Sequence, residues 1–323
     1  EKGHPKSSIT SLDRLAYMGK RAMGALEFKP TRGPRTTLPT ALAMNQLVAV
    51  ARRAVRGHLE DDSSAEAAMR SIIDVGTSAN GARAKAVIGW NPATSEIRSG
   101  QFGLLAGFEY WLLKFDGMGK DQELGTSQDY GRIEYAYYLM ARRAGISLCE
   151  SKLLEENGRA HFMTRRFDRA DDGTKHHLQS LCAMAHLDFK KKSANSYEQA
   201  FMTIRQLKLD RTMEIEAFRR MAFNVMGRNC DDHTKNISFL LREGGPWELA
   251  PAYDVTFAHN PKGEWTHQHL MSVNGKFDVI GRTDLLELAD RFGIGEAAAI
   301  LKEVRVAIEQ WPAFAHQAGI RVV

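Results

Sequence analysis

The chain has 323 residues, enough to bury one large core or two lobes, and its 43% hydrophobic and 26% charged content is ordinary for a globular protein. No run approaches the roughly 18 to 20 uninterrupted apolar residues that a membrane-spanning helix requires. A formal net charge of +5 is a mild basic bias, compatible with an acidic partner without identifying one.

Taken in order, residues 38–57 and 63–74 have helical periodicity, the second opening on Ser63-x-x-Glu66, a capping-box pattern. Gly76 to Gly81 is a small-residue loop leading to the apolar Ala86-Val-Ile88, and Trp111 to Phe115 reads as a buried strand. Residues 131–144 form another helical pattern, and His161 to Asp168 looks like a strand and a hinge between lobes. Beyond it the periodicity predicts helices over 176–187, 195–207, 212–227, 283–291 and 295–318. Two short apolar runs, Ile237 to Leu241 and Trp247 to Leu249, flank Arg242-Glu-Gly-Gly245 and predict a β-hairpin. The expected class is α+β, with a small mixed lobe over 63–168, a mostly helical lobe over 169–323, and a linking region over 1–62.

Cys149, Cys182 and Cys230 form no Cys-x-x-Cys pair, which fits a reducing cytoplasm. The opening Glu1-Lys2-Gly3 carries no charged-then-apolar signal segment, so a cytoplasmic location is expected. Most basic clusters read as solvated faces, while Lys190-Lys-Lys192 could also touch DNA phosphate in a complex.

The stretch Asn229-Cys-Asp231-Asp-His233-Thr-Lys235-Asn236 is followed, 18 residues after Asn236, by Asp254 in Pro251-Ala-Tyr253-Asp254. An Asp, an Asn five positions later and a second Asp beyond a hairpin is the spacing at which protein kinases carry a base and two metal-binding groups. Phosphoryl transfer asks mainly for positioning and charge neutralisation, with one carboxylate to receive the acceptor proton and oxygen ligands for magnesium. Asp231 is then the base, and Asn236 and Asp254 the Mg²⁺ ligands. Alone, the same residues also fit a polar loop that satisfies its own turns. Lys235 is suited to stabilising charge in the transition state, and His233 to orienting the loop or contacting ATP. Asp232 and Cys230 read as structural. His176-His177 reads as two helical neighbours that point apart and share no metal.

Lys114 is a cation inside the apolar run Trp111-Leu-Leu-Lys114-Phe, so it needs a charged partner or a ligand unless it lies at a sheet edge. Glu134 on the following helix is its expected counterion, with Asp129 the alternative. The loop Ser78, Ala79, Asn80, Gly81 and Ala82 would cover the phosphates of ATP, because missing side chains let backbone amides approach anionic oxygens. It lacks the Walker Gly-Lys-Ser/Thr ending. Phe162, Met163 and Thr164 would offer backbone groups to adenine, with Phe167 nearby, and Tyr253 would pack in the floor of the nucleotide pocket.

Together with Leu12-Asp-Arg-Leu-Ala-Tyr17-Met-Gly19, Gly24-Ala-Leu26, Gly81-Ala82-Arg-Ala-Lys85, Arg166-Phe-Asp168-Arg169 and Ser272-Val-Asn-Gly275, these motifs closely resemble the HipA family of bacterial toxin kinases. The resemblance implies a bilobal protein-kinase-like fold and a serine/threonine kinase using ATP and Mg²⁺. It further implies a protein target in the translation machinery, such as an aminoacyl-tRNA synthetase. A HipB-like DNA-binding antitoxin would restrain the enzyme, with operator DNA reached through that complex and the nucleoid joined to the cytoplasm as its location. Ser78 stands at the position of the family's autophosphorylated serine. Arg165 departs from the Glu that many relatives carry, which leaves adenine recognition open. The opening residues resemble the interior of a family member, so an N-terminal subdomain is expected to be missing. Two other readings remain: a small-molecule kinase on the same fold, and a catalytically silent corepressor that binds the antitoxin. Competent residues at Lys114, Glu134, Asp231, Asn236 and Asp254 speak against the second.

Overall fold

The computed structural model describes residues 8–33, 41–42, 84–101, 103–116, 129–156 and 158–320. The phosphate-loop candidates Ser78 to Ala82 and the helix expected over 63–74 lie outside them. Of the helix expected over 38–57, only Ala41–Leu42 is described. It is a strand, β1, whose backbone pairs with Ile97 and Arg98 instead of closing a helical turn.

The small lobe is built on an antiparallel six-stranded sheet in the order β1-β3-β2-β4-β6-β5. Its further strands are β2 (Lys85–Trp90), β3 (Ile97–Ser99), β4 (Glu109–Lys114), β5 (Ser151–Glu156) and β6 (Arg159–Arg165). Successive side chains of a strand point to opposite faces. Trp111, Leu113 and Phe115 therefore join Ala86, Ile88 and Met163 in the small-lobe core, while Leu112 and Lys114 line the cleft between the lobes. Lys85 and Lys114 stand directly opposite each other in the β2/β4 register, a like-charge pairing that needs an anion beside it.

Helix α1 (Ser11–Met18) is capped by a reciprocal Thr10–Asp13 box. Helix α2 (Tyr130–Arg143) packs against β6 and β5 of the sheet. Gly131 permits the approach: a Cβ there would lie 2.0 Å from the Ala160 carbonyl oxygen of β6. One turn further on, this contact holds Glu134, 1% exposed, under the sheet.

The larger lobe contains α3 (Leu181–Met184), α4 (Tyr197–Gln206), α5 (Arg211–Met226), α6 (Arg282–Arg291), α7 (Ala297–Glu309) and α8 (Trp311–Gln317). In α5 the buried Phe218, Met221, Ala222 and Val225 recur at i, i+3, i+4 and i+7, the stripe by which a helix buries one face. Phe201, Phe239, Leu288, Ile300 and Val304 complete that core with them. The predicted hairpin is present as β9 (Ser238–Leu241) and β10 (Trp247–Leu249), joined by β7 (His177–Ser180) in the order β10-β9-β7. A two-residue parallel ladder pairs β8 (Asn195–Ser196) with β11 (Met271–Ser272).

Two further predicted helices differ. Residues 176–187 are strand β7 followed by the single turn α3, because His177 to Ser180 pairs with Leu241 to Ser238 and the Ser180 hydroxyl then caps the turn. His176 lies just before β7 and meets Arg242, while His177 opens the strand and packs on Trp247, so the two part without a helix. The helix expected over 295–318 breaks at Gln310, where Pro312 cannot donate an interior hydrogen bond. No helix among the described residues is long and apolar enough to cross a membrane.

Candidate active site

The hairpin returns the chain so that Asp254 comes back to the catalytic stretch and to the sheet of the other lobe. Lys114 at the end of β4 is 7% exposed, and its Nζ contacts both Glu134 of α2 and Asp254. The counterion is therefore Glu134, with Asp254 as a second anion. The other carboxylate oxygen of Asp254 lies 3.8 Å from Lys85 Nζ, which relieves the Lys85–Lys114 juxtaposition. Burial would raise the pKa of Asp254, but Lys114 and then Lys85 outweigh it and hold the carboxyl far below the ordinary aspartate range. Asp254 has a left-handed backbone, φ 53°, a conformation that Asp tolerates better than most residues.

Asp231 is held in the opposite sense. Its side chain is half-exposed, yet desolvation by the surrounding loops raises its pKa above the ordinary value, His233 opposing the rise from 3.8 Å and Asp254 adding to it. Asn236 Nδ2 donates to the Asp231 carbonyl at 2.8 Å, an arrangement in which its amide oxygen is the atom that could ligate a metal. Tyr253 braces the same turn: its hydroxyl donates to the Lys235 carbonyl at 2.5 Å and contacts Ser238 Oγ. Its ring lies 5.8 Å from that of Phe167.

Lys114, Glu134, Phe162, Thr164, Phe167, Lys235, Tyr253 and Asp254 all line one cleft of about 570 Å³, within the usual size of small-molecule sites. Met163 does not, since its side chain belongs to the small-lobe core on the far side of the sheet. Residues 162–164 also pair with β4 on one side and β5 on the other. Their backbone groups are committed to the sheet, which corrects the expectation that they serve adenine. What this strand gives the cleft is the side chains of Phe162 and Thr164. Arg165 pairs with Asp171 and lies 3.6 Å from Glu109.

Lys235 and His233 share an aromatic neighbour: Lys235 Nζ lies 3.6 Å from the Phe189 ring centroid and the His233 ring 5.7 Å. The tri-lysine run directly after Phe189 therefore sits beside the catalytic stretch, with Lys192 paired to Glu264 at 2.8 Å. Lys85 was not singled out as a site residue. Its signal was a charge alternating with the buried Ala84, Ala86 and Ile88 of a core strand.

Among the described residues no group of three or more His, Cys, Asp or Glu side chains gathers as a metal cage. One ionised carboxylate and one amide oxygen suit magnesium, which usually takes few protein ligands and fills its shell with water and phosphate oxygens.

A two-lobed α+β fold with Lys–Glu–Asp charges at the interlobe cleft and an Asp-x₄-Asn turn beneath them defines the protein-kinase-like class. Residues 77–311 match the HipA-like C-terminal domain, and the chain belongs to that family. The chain of the Shewanella oneidensis MR-1 toxin-antitoxin complex of HipA, HipB and operator DNA superposes with a TM-score of 0.70 at 15% identity, covering 99% of this chain and 74% of that one. The Helicobacter pylori proinflammatory kinase CtkA aligns at 12% identity with a TM-score of 0.39, over 67% of this chain and 88% of that one. No curated protein matches the sequence.

Proposed function

We propose that this chain is an ATP-dependent serine/threonine protein kinase of HipA type. The observation that carries the reading is Lys114, held between Glu134 and Asp254 at the interlobe cleft, with Asp254 also lining a small adjoining cavity with Asn236, whose amide is bonded to the Asp231 carbonyl. Asp231 accepts the proton of the acceptor hydroxyl, and its raised pKa brings it nearer to that of an effective base at neutral pH. Lys114 meets the phosphates of ATP, Glu134 keeps it aimed, and Lys235 offers a cation on the acceptor side. Asn236 and Asp254 would hold magnesium, which when bound neutralises charge on the phosphates. Because Lys114 and Lys85 favour its ionised form, Asp254 would need no proton change to serve as a metal ligand.

The proposed acceptor is a Ser or Thr of a protein in the translation machinery, such as an aminoacyl-tRNA synthetase, together with Ser78 of the chain itself. A HipB-like antitoxin and, through it, operator DNA are the proposed partners in a cytoplasmic, nucleoid-associated complex, as in the Shewanella assembly. Phosphate on Ser78 would add about −1.5 to −2 charges and repel ATP. Mass spectrometry after incubation with Mg-ATP, with ATP affinity measured before and after, tests this; an unmodified Ser78 or unchanged affinity refutes it.

The experiment for the whole reading is incubation with labelled ATP and cell extract. A labelled protein is expected. A labelled metabolite would instead define a small-molecule kinase, and ATP binding without turnover a silent corepressor.

A further inference from the structure

Asp231 and Asp232 are chain neighbours with opposite surroundings. Asp231 has a half-exposed side chain, whereas Asp232 is 3% exposed. The Asp232 carboxylate accepts three hydrogen bonds, each of 2.8 Å, from the Tyr197 hydroxyl, His269 Nδ1 and the Leu270 amide. The contacts continue from there. Asn224 Nδ2 donates to the Tyr197 hydroxyl at 3.0 Å, Asn229 Nδ2 to Asn224 Oδ1 at 3.0 Å, and the same Asn229 amide reaches the Asp254 carbonyl at 3.4 Å. On the other side, His269 Nε2 lies 3.9 Å from Cys230 Sγ.

This chain of buried contacts grips residues 229, 230 and 232, on both flanks of Asp231, and touches the backbone of Asp254. None of its side chains lines the interlobe cleft. Replacing a buried ion pair with apolar residues is often neutral or stabilising, so packing gives no reason for Asp232 and His269 here. What they supply is a fixed backbone position.

We infer that Asp232 and His269, with Tyr197, are positioning residues for phosphoryl transfer, clamping residues 229–232 so that the Asp231 carboxylate keeps its place relative to the loop that carries Asp254. This role rests on the kinase reading given above.

The test uses the whole chain with His269→Gln, Asp232→Asn, both together, and Tyr197→Phe. The readouts are turnover of labelled ATP, Mg-ATP affinity by calorimetry, and hydrogen exchange of the amides of residues 229–236. For His269→Gln and Asp232→Asn, kcat should fall on the order of 10²-fold, the scale of a small misplacement of a reacting group. Mg-ATP affinity should match that of the unaltered protein, with faster exchange at 229–236 and unchanged exchange in α7. Tyr197→Phe, which removes one donor of three, should give a smaller fall in the same direction. A folded His269→Gln protein with unaltered kcat and exchange overturns the clamp. So does a fall in kcat accompanied by an equal loss of affinity or by general loss of protection. Should a single variant unfold, the Asp232→Asn/His269→Gln pair, neutral and close in shape, is read by the same measures. If the unaltered protein transfers no phosphate, the kinase reading fails by itself, and exchange at 229–236 still decides whether the clamp exists.

Discussion

Asp231 and Asp254 share one electrostatic neighbourhood yet titrate in opposite senses, and the difference assigns them different work. Burial and the neighbouring Asp254 raise Asp231, so the acid limb of a kcat/KM profile should lie above the ordinary aspartate range. Asp231→Asn should lower transfer by about 10² to 10⁴-fold while Mg-ATP still binds; full activity in the purified variant would remove Asp231 from the mechanism. Asp254→Ala should instead weaken Mg-ATP binding in calorimetry, since it removes the ionised ligand and leaves Lys85 and Lys114 opposed. His269 supplies a third test. Burial alone would lower its pKa, but hydrogen bonding to Asp232 raises it from 6.5 to about 10. The stability from the pair is complete below pH 6.5 and is lost as pH rises through about 10. Denaturant unfolding at pH 6 and pH 9 should show that loss, and His269→Gln should flatten it; identical pH slopes would contradict the assignment. Asp231, Asn236 and Asp254 were legible in the sequence because their spacing is local and their chemistry specific. Asp232 reads as structural from the sequence, but its partners cannot be read there, since Tyr197, His269 and Leu270 lie 35, 37 and 38 residues away and no local pattern pairs them.

Among the elements, α2 carries the sharpest dependence. Its position against β6 rests on the missing side chain of Gly131. Gly131→Ala should cost about 1–3 kcal/mol through overpacking and reduce ATP affinity by moving Glu134 from Lys114, as thermal unfolding and calorimetry would show. Wild-type affinity in that variant would separate helix placement from the site. Helix α5 and the β9/β10 hairpin were readable because their apolar periods are long or bounded by Gly. Strand β7 was not. Leu178 to Met184 holds good helix formers, and what makes its first half a strand is an edge provided by β9, roughly 60 residues later in the chain. The backbone of Phe162–Thr164 misled in the same way: a run beside a hinge suggests free carbonyls, and only the partner strands on both sides show that they are used.

At the scale of the whole molecule, Asp168 joins segments far apart in sequence. It accepts two hydrogen bonds from Arg166 at 2.8 and 2.7 Å, one from Arg169 at 3.0 Å, and one from the Gly24 amide at 2.7 Å. Arg169 also donates to the Ala22 and Gly24 carbonyls, and Lys175 pairs with Glu27 at 2.6 Å. Removing the carboxylate leaves two buried guanidiniums uncompensated. Asp168→Ala should therefore destabilise by about 3–5 kcal/mol and open residues 8–33 to limited proteolysis; a protease pattern like that of the unaltered protein would show that the segment is held elsewhere. The knot sits where the strand of one lobe passes into the other, which stiffens what would otherwise be the pivot. Through these contacts residues 22–27 are fastened to the segment that joins the lobes. Leu12 and Leu26 of residues 8–33 are more than half exposed, whereas Met23 lines the interlobe cleft itself, so the segment is part of that cleft's wall.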